Sequence, residues 1–157
     1  MNLLFSLLSK SHDRKGFSCG NTALDTYLQK QARQDAQRGF STVIVATEEE
    51  NPERIIGYYT LAAASVALDR LPEETRKTLP RYQDNPSILL GRLAVSKTFQ
   101  RRHIVYLLVF DARSAMSLRG RSSLFRLKMS RCSSIPDACF SRFMARQCTC
   151  GCTEHRH

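Results

Sequence analysis

The chain has 157 residues, 42% hydrophobic and 24% charged, the length and balance of one globular domain with its own core. No apolar run approaches the roughly 20 residues of a membrane helix, and the apolar start, residues 1–8, has neither the basic flank nor the cleavage site of a signal peptide. The net charge of +10 is uneven: residues 1–100 hold 13 Lys+Arg against 11 Asp+Glu, residues 101–157 hold 11 against 3, and so basic a segment suits an anionic partner such as nucleic acid or cofactor phosphates, unless it is simply solvated.

Residues 3–8 read as a first strand. A turn at Phe17-Ser18-Cys19-Gly20 leads to Asn21, a good N-cap, and a helix from Thr22 follows. Leu24, Tyr27, Leu28 and Ala32 fall at helical spacing, and Gly39 ends the helix. Residues 41–47 are β-branched and strand-like. A polar loop, 48–54, connects them to a second strand, 55–68, which is long enough to require a bulge or bend near residues 62–64. Leu71-Pro72-Glu73-Glu74-Thr75 has Pro and two acids where a helix starts. Residues 87–95 are a buried, nearly continuous apolar run, hence a central strand, and the apolar run from Ile104 suits a helix to about Met116. These elements predict an α+β domain with a mixed central sheet flanked by helices. Cys132, Cys139, Cys148, Cys150 and Cys152 crowd the end of the chain. With no secretory signal they imply a cytoplasmic location rather than a disulfide framework.

Strand, basic turn, helix is an arrangement whose free backbone N–H groups hold a phosphate. Leu90-Gly91-Arg92-Leu93-Ala94-Val95 followed by Gln100-Arg101-Arg102-His103-Ile104-Val105 resembles the acetyl-CoA-binding core of the GCN5-related N-acetyltransferases (GNAT). Phe17-x-Cys19-Gly20, Leu24-Asp25-x-Tyr27-Leu28, Gly57-Tyr58-Tyr59-Thr60-Leu61 and Leu79-Pro80-Arg81-Tyr82 occur in the order of the toxins of type II toxin–antitoxin modules within that family, and the match resumes at residues 106–112. The resemblance implies transfer of acetyl from acetyl-CoA to the amino group of aminoacyl-tRNA, and a ribbon-helix-helix antitoxin as partner; a homodimer stays open. It assigns cofactor binding to Leu93, Ala94, Val95, Gln100, Arg101, Arg102, His103, Ile104 and Val105. The strand residues would act through backbone groups, the arginines as charges.

The chain departs from the family at two places. His103 and Val105 stand where the family's turn has glycines, which let the backbone approach phosphate, often at φ > 0, and a β-branched Val does this poorly. After Ala112 the family pattern ends. No Phe-Tyr pair follows to supply the tyrosine that protonates the thiolate, and Phe140 and Phe143 have no proton to give. Residues 1–112 therefore read as the acetyltransferase core. Residues 113–157 read as a divergent, basic, Cys-rich tail, unordered or shifted in reading frame. Tyr58 or Tyr59 could replace the missing acid, against the commoner role of core tyrosine, so no catalytic residue is assigned. Cys148-x-Cys150-x-Cys152-x-x-His155-x-His157 offers soft ligands but spacing too tight for a zinc site, so no metal is assigned. The expected function is an acetyltransferase toxin of impaired activity. The alternative is a catalytically dead GNAT-fold protein that only binds antitoxin or RNA.

Overall fold

The computed structural model describes residues 2–67, 73, 77, 84–118 and 125–127. Five strands form one sheet in the order β1-β2-β3-β4-β5: β1 (Leu3–Leu7), β2 (Thr42–Glu48), β3 (Asn51–Ala67), β4 (Asp84–Val95) and β5 (Phe125–Leu127). The first four pair antiparallel, and β5 joins β4 parallel, matching Phe125, Arg126 and Leu127 to Ile88, Leu89 and Leu90. The predicted α+β class with a mixed sheet is the class observed.

One face of the sheet carries α1 (Thr22–Thr26), a π-helical turn (Tyr27–Gln31) and α2 (Ala32–Gln37). Asn21 caps α1 as expected, its side chain accepting from the N–H groups of Ala23 (3.0 Å) and Leu24 (3.4 Å), which have no carbonyl within the helix. Gly39 follows α2 at φ 73°, a conformation that costs glycine little. Leu24, Leu28 and Ala32 pack there against Val43, Val45, Tyr58 and Ala94. The opposite face carries α3 (Ile104–Leu118), whose Ile104, Leu108, Val109 and Ala112 pack against Ile56, Tyr59, Leu90, Leu93 and Val95.

Three details differ from the sequence reading. The polar loop expected over residues 48–54 is tighter, because β3 already begins at Asn51 and pairs it with Glu48. The bulge expected at residues 62–64 of β3 lies in β4 instead: Thr60 faces Arg92 and Leu61 faces Leu90, which leaves Gly91 as the extra residue. A glycine inside a strand is the local signal for such a bulge. Finally, β5 is a strand within the tail, where the sequence shows no strand alternation. Of the excursion expected around residues 71–82, Glu73 and Lys77 are helical and paired at 3.5 Å, and the rest lies outside the described residues. So do the cysteines of the tail, Phe140, Phe143 and the closing Cys/His run.

Gly57 sits where β3, β4 and α3 meet. A Cβ there would stand 3.0 Å from the Ala94 carbonyl oxygen and 3.0 Å from Leu108 Cδ1, and the backbone oxygen cannot move aside. Gly57→Val is expected to lower stability by about 2 kcal/mol, read as a lower urea midpoint at unchanged m-value; an unchanged midpoint would contradict this packing.

Candidate active site

The site is built by the end of β4 and the turn that follows it. Leu93, Ala94 and Val95 are buried and pair on one edge with Tyr59, Tyr58 and Gly57 of β3. On the other edge β5 stops at Leu90. From Arg92 to Val95 that edge has no strand neighbour among the described residues, which leave a slot beside it lined by backbone polar groups. An extended ligand with amide groups can pair with such an edge as another strand would.

The slot ends at the turn. After Val95, Ser96 donates its N–H to the Ile56 carbonyl (2.7 Å), a 3-10 turn covers Lys97–Phe99, and α3 starts at Ile104. The amides of residues 102–105 find no backbone acceptor among the described residues. Four unsatisfied N–H groups at the positive end of a 15-residue helix favour an anion. Arg101 and Arg102 are exposed beside them, and the Arg102 guanidinium lies 5.6 Å from the centre of the Phe99 ring. Arg54 also stacks on Phe99, at 5.1 Å. His103 is exposed, with its ring 5.7 Å from that of Tyr106.

The concern over the missing glycines finds a specific answer. The left-handed conformation is present at Arg101 (φ 68°) and His103 (φ 58°), both non-glycine. Val105 needs no positive φ, since it lies in the first turn of α3. The turn thus takes the left-handed backbone at two non-glycine residues, at a cost of roughly 1–2 kcal/mol each.

Gln100 takes a different part from the one its neighbours suggest. Its side-chain amide donates to the Cys19 carbonyl (2.8 Å) and the Val95 carbonyl (3.1 Å). It holds the turn onto the strand and onto the loop before α1, and the Val95 carbonyl is occupied by it. That loop is itself fixed by Asp25, which accepts from the Cys19 N–H (2.8 Å) and the Ser18 hydroxyl (3.2 Å), and by the Lys97 N–H on the Ser18 carbonyl (2.9 Å).

Neither buried tyrosine is available as an acid. Tyr58 donates to the Leu24 carbonyl (2.9 Å) and Tyr59 to the Asp111 carboxylate (2.7 Å), on opposite faces of the sheet, and both are fully buried. Burial pushes the Tyr58 phenol far above its ordinary range, the reverse of what a proton donor needs. Sequence reasoning passed over Arg92, whose guanidinium lies 3.8 Å from the centre of the Tyr27 ring. Its signal was a charged residue inside an otherwise apolar strand. Among the described residues no three His, Cys, Asp or Glu side chains group to hold a metal, and no helix is long and apolar enough to cross a membrane.

His103→Gly is expected to stabilise the fold by about 1 kcal/mol, by releasing the left-handed strain. Chemical denaturation measures it, and a less stable variant would show that the strain is compensated through the His103 side chain.

No protein-family model matches the chain. A "tRNA-acetylating toxin" of Mycobacterium tuberculosis is 36% identical over 105 residues, covering 67% of this chain and 60% of that protein. A "Probable toxin TacT" of Sinorhizobium fredii is 26% identical over 89 residues, covering 57% and 49%. The chain thus spans less than two thirds of the length of the curated relatives it matches. Among solved structures, AtaT complexed with acetyl-methionyl-tRNAfMet superimposes with a TM-score of 0.76 at 22% identity, over 93% of this chain and 86% of that one. AtaTR bound with AcCoA gives 0.71 at 20% identity over 92% and 84%. A Tyr-to-Phe mutant of AtaT bound to the C-terminus of the antitoxin AtaR gives 0.68 at 21% over 92% and 83%. The chain has the GNAT fold and is similar, in sequence and in architecture, to the tRNA-acetylating toxins.

Proposed function

We propose that the chain is an acetyl-CoA-dependent N-acetyltransferase of the toxin type, acting in the cytoplasm on the amino group of aminoacyl-tRNA and held in check by a ribbon-helix-helix antitoxin. The observation that carries the reading is the continuity of the β4 edge at Leu93 and Ala94, which has no strand neighbour beyond β3 among the described residues, with the amides of residues 102–105, which have no backbone acceptor among them. That is a groove for an extended amide chain ending in a phosphate cradle, and it fits the pantetheine arm and pyrophosphate of CoA. The relatives described as tRNA-acetylating, bound to acetyl-CoA or bound to an antitoxin support the substrate and the partner.

In this reading acetyl-CoA supplies the activated acetyl group. The β4 backbone at Leu93 and Ala94 orients the arm, and the amides of Arg102, His103, Ile104 and Val105 hold the pyrophosphate, with Arg101 and Arg102 adding charge. Gln100 positions the turn. The amine of an aminoacyl ester is substantially neutral near working pH, so its attack on the thioester needs no strong base. The departing thiolate needs a proton, and no tyrosine follows Tyr106 in the sequence to provide one. The chain's activity is accordingly set low. The same observation favours the second reading, a non-catalytic GNAT-fold protein that binds antitoxin or RNA. The division into a core of residues 1–112 and a divergent tail, 113–157, belongs to this proposal as well.

Calorimetric titration of acetyl-CoA into the full chain is expected to give micromolar affinity. Replacing Arg101 and Arg102 together by Gln should weaken it about tenfold or more, since charge-assisted phosphate contacts contribute about 1.5–3 kcal/mol each. Acetylation of charged tRNA should then be detectable but slow. Folded protein with no acetyl-CoA binding would overturn the enzymatic reading in favour of the second.

A further inference from the structure

We propose that Arg92 is an acceptor-positioning residue that grips a phosphate oxygen of the nucleic-acid acceptor on the face of the sheet opposite α3. The identity of the acceptor rests on the function proposed above; the anion-binding role rests on the geometry of Arg92 itself.

Arg92 is the first residue after the Gly91 bulge and the first of the unpaired β4 edge. Its N–H is taken by the Thr60 hydroxyl at 3.0 Å, which fixes the backbone. Its side chain rises on the face of α1 and the π-helical turn, where the guanidinium lies 3.8 Å from the centre of the Tyr27 ring. That ring is a rigid platform. It is 4% exposed, and its hydroxyl donates to Asp35 at 3.1 Å with Ser41 3.4 Å away.

What Arg92 lacks among the described residues is an anion. No carboxylate of a described residue lies within 4.0 Å of it, and its guanidinium makes no side-chain hydrogen bond among the described residues. The acids around it are engaged elsewhere: Asp25 with the Ser18–Cys19 loop, Asp35 with Tyr27. A guanidinium stacked by its face on an aromatic ring leaves its N–H edge free, and that edge matches phosphate in a fixed fork. A half-buried arginine held this way, with no anion among the described residues, has the geometry of a receptor rather than of a solvated charge. Its place also separates it from the cofactor turn. Three residue steps of strand, about 10 Å, separate Arg92 from Val95. Arg54 and Arg102, by contrast, stack on Phe99, in the core of the α3 face.

The test uses the full chain as wild type, Arg92→Gln and Arg92→Lys. Each is titrated with an uncharged RNA minihelix ending in CCA, followed by fluorescence anisotropy, and with acetyl-CoA by calorimetry; KM for charged tRNA is measured on whichever variants turn over. Arg92→Gln is expected to weaken minihelix binding at least tenfold and to reduce the salt dependence by about one phosphate contact. Arg92→Lys, which keeps the charge and the stack but loses the fork, should fall between. Acetyl-CoA affinity and melting temperature should stay within twofold and 2 °C, roughly the scatter of such measurements. Minihelix binding within twofold of wild type in Arg92→Gln overturns the proposal, and so does folded wild type that binds no minihelix. If Arg92→Gln melts early, Arg92→Lys decides, since a purely structural stack would leave its RNA affinity intact. Arg92-dependent RNA binding without acetyl-CoA binding would sustain this inference and sink the acetyltransferase. Acetylation with KM for charged tRNA unchanged in Arg92→Gln would do the reverse.

Discussion

One extra residue in one strand governs the rest of the structure. Side chains alternate along a strand, so inserting a residue exchanges the faces for everything after it. Before the Gly91 bulge, Ile88 and Leu90 pack toward α3; after it, Leu93 and Val95 do. Without the bulge these four could not share one core, and α3 would meet Arg92 and Ala94 instead. The bulge leaves one N–H out of the ladder, and the Thr60 hydroxyl accepts it at 3.0 Å. Gly91 is the residue type that fits, because a Cβ would stand 3.2 Å from that same hydroxyl oxygen. The bulge also lies where, among the described residues, the pairing of β5 with β4 ends. Core packing and the groove therefore share one cause.

Much of this was legible in the residues. Strand and helix periods gave the sheet and its helices, Asn21 gave the start of α1, and the quoted motifs gave the fold that the solved neighbours share. The failures have physical reasons. The excessive length of the second hydrophobic run was visible, but which partner carries the extra residue depends on pairing across strands, which period counting along one strand does not see. The turn was judged on side-chain identity, whereas the left-handed residues are Arg101 and His103 and the β-branched Val105 sits in ordinary helix. The side-chain amide of Gln100 is bound to two carbonyls of the protein, a positioning role that a residue type alone does not reveal. β5 is three residues long and paired through the backbone, too short for any periodic signal.

The two adjacent tyrosines show how the sheet divides its labour. Tyr58 and Tyr59 point to opposite faces, and each joins a strand to a different helix through a hydroxyl that would be costly to bury unpaired. Tyr59 reaches Asp111 on α3, and Tyr58 reaches the Leu24 carbonyl in α1 while its ring meets Phe17 edge-on and stacks on Tyr27. Tyr27 in turn carries Arg92. Burial raises the Tyr27 phenol above its usual range, and the Arg92 charge pulls the other way. The aromatic column thus runs from the loop before α1, through the sheet, to the one stacked guanidinium on that face among the described residues.

The bond from Gln100 to the Cys19 carbonyl spans 81 positions of sequence. Closing so long a loop carries a large entropic cost and depends on contacts that local segments cannot make alone. The turn after β4 therefore depends on the pairing of β2, β3 and β4, which brings Gln100 to the loop before α1. A ligand that closes on the turn stabilises more than the turn, because Gln100 ties that turn to the loop before α1.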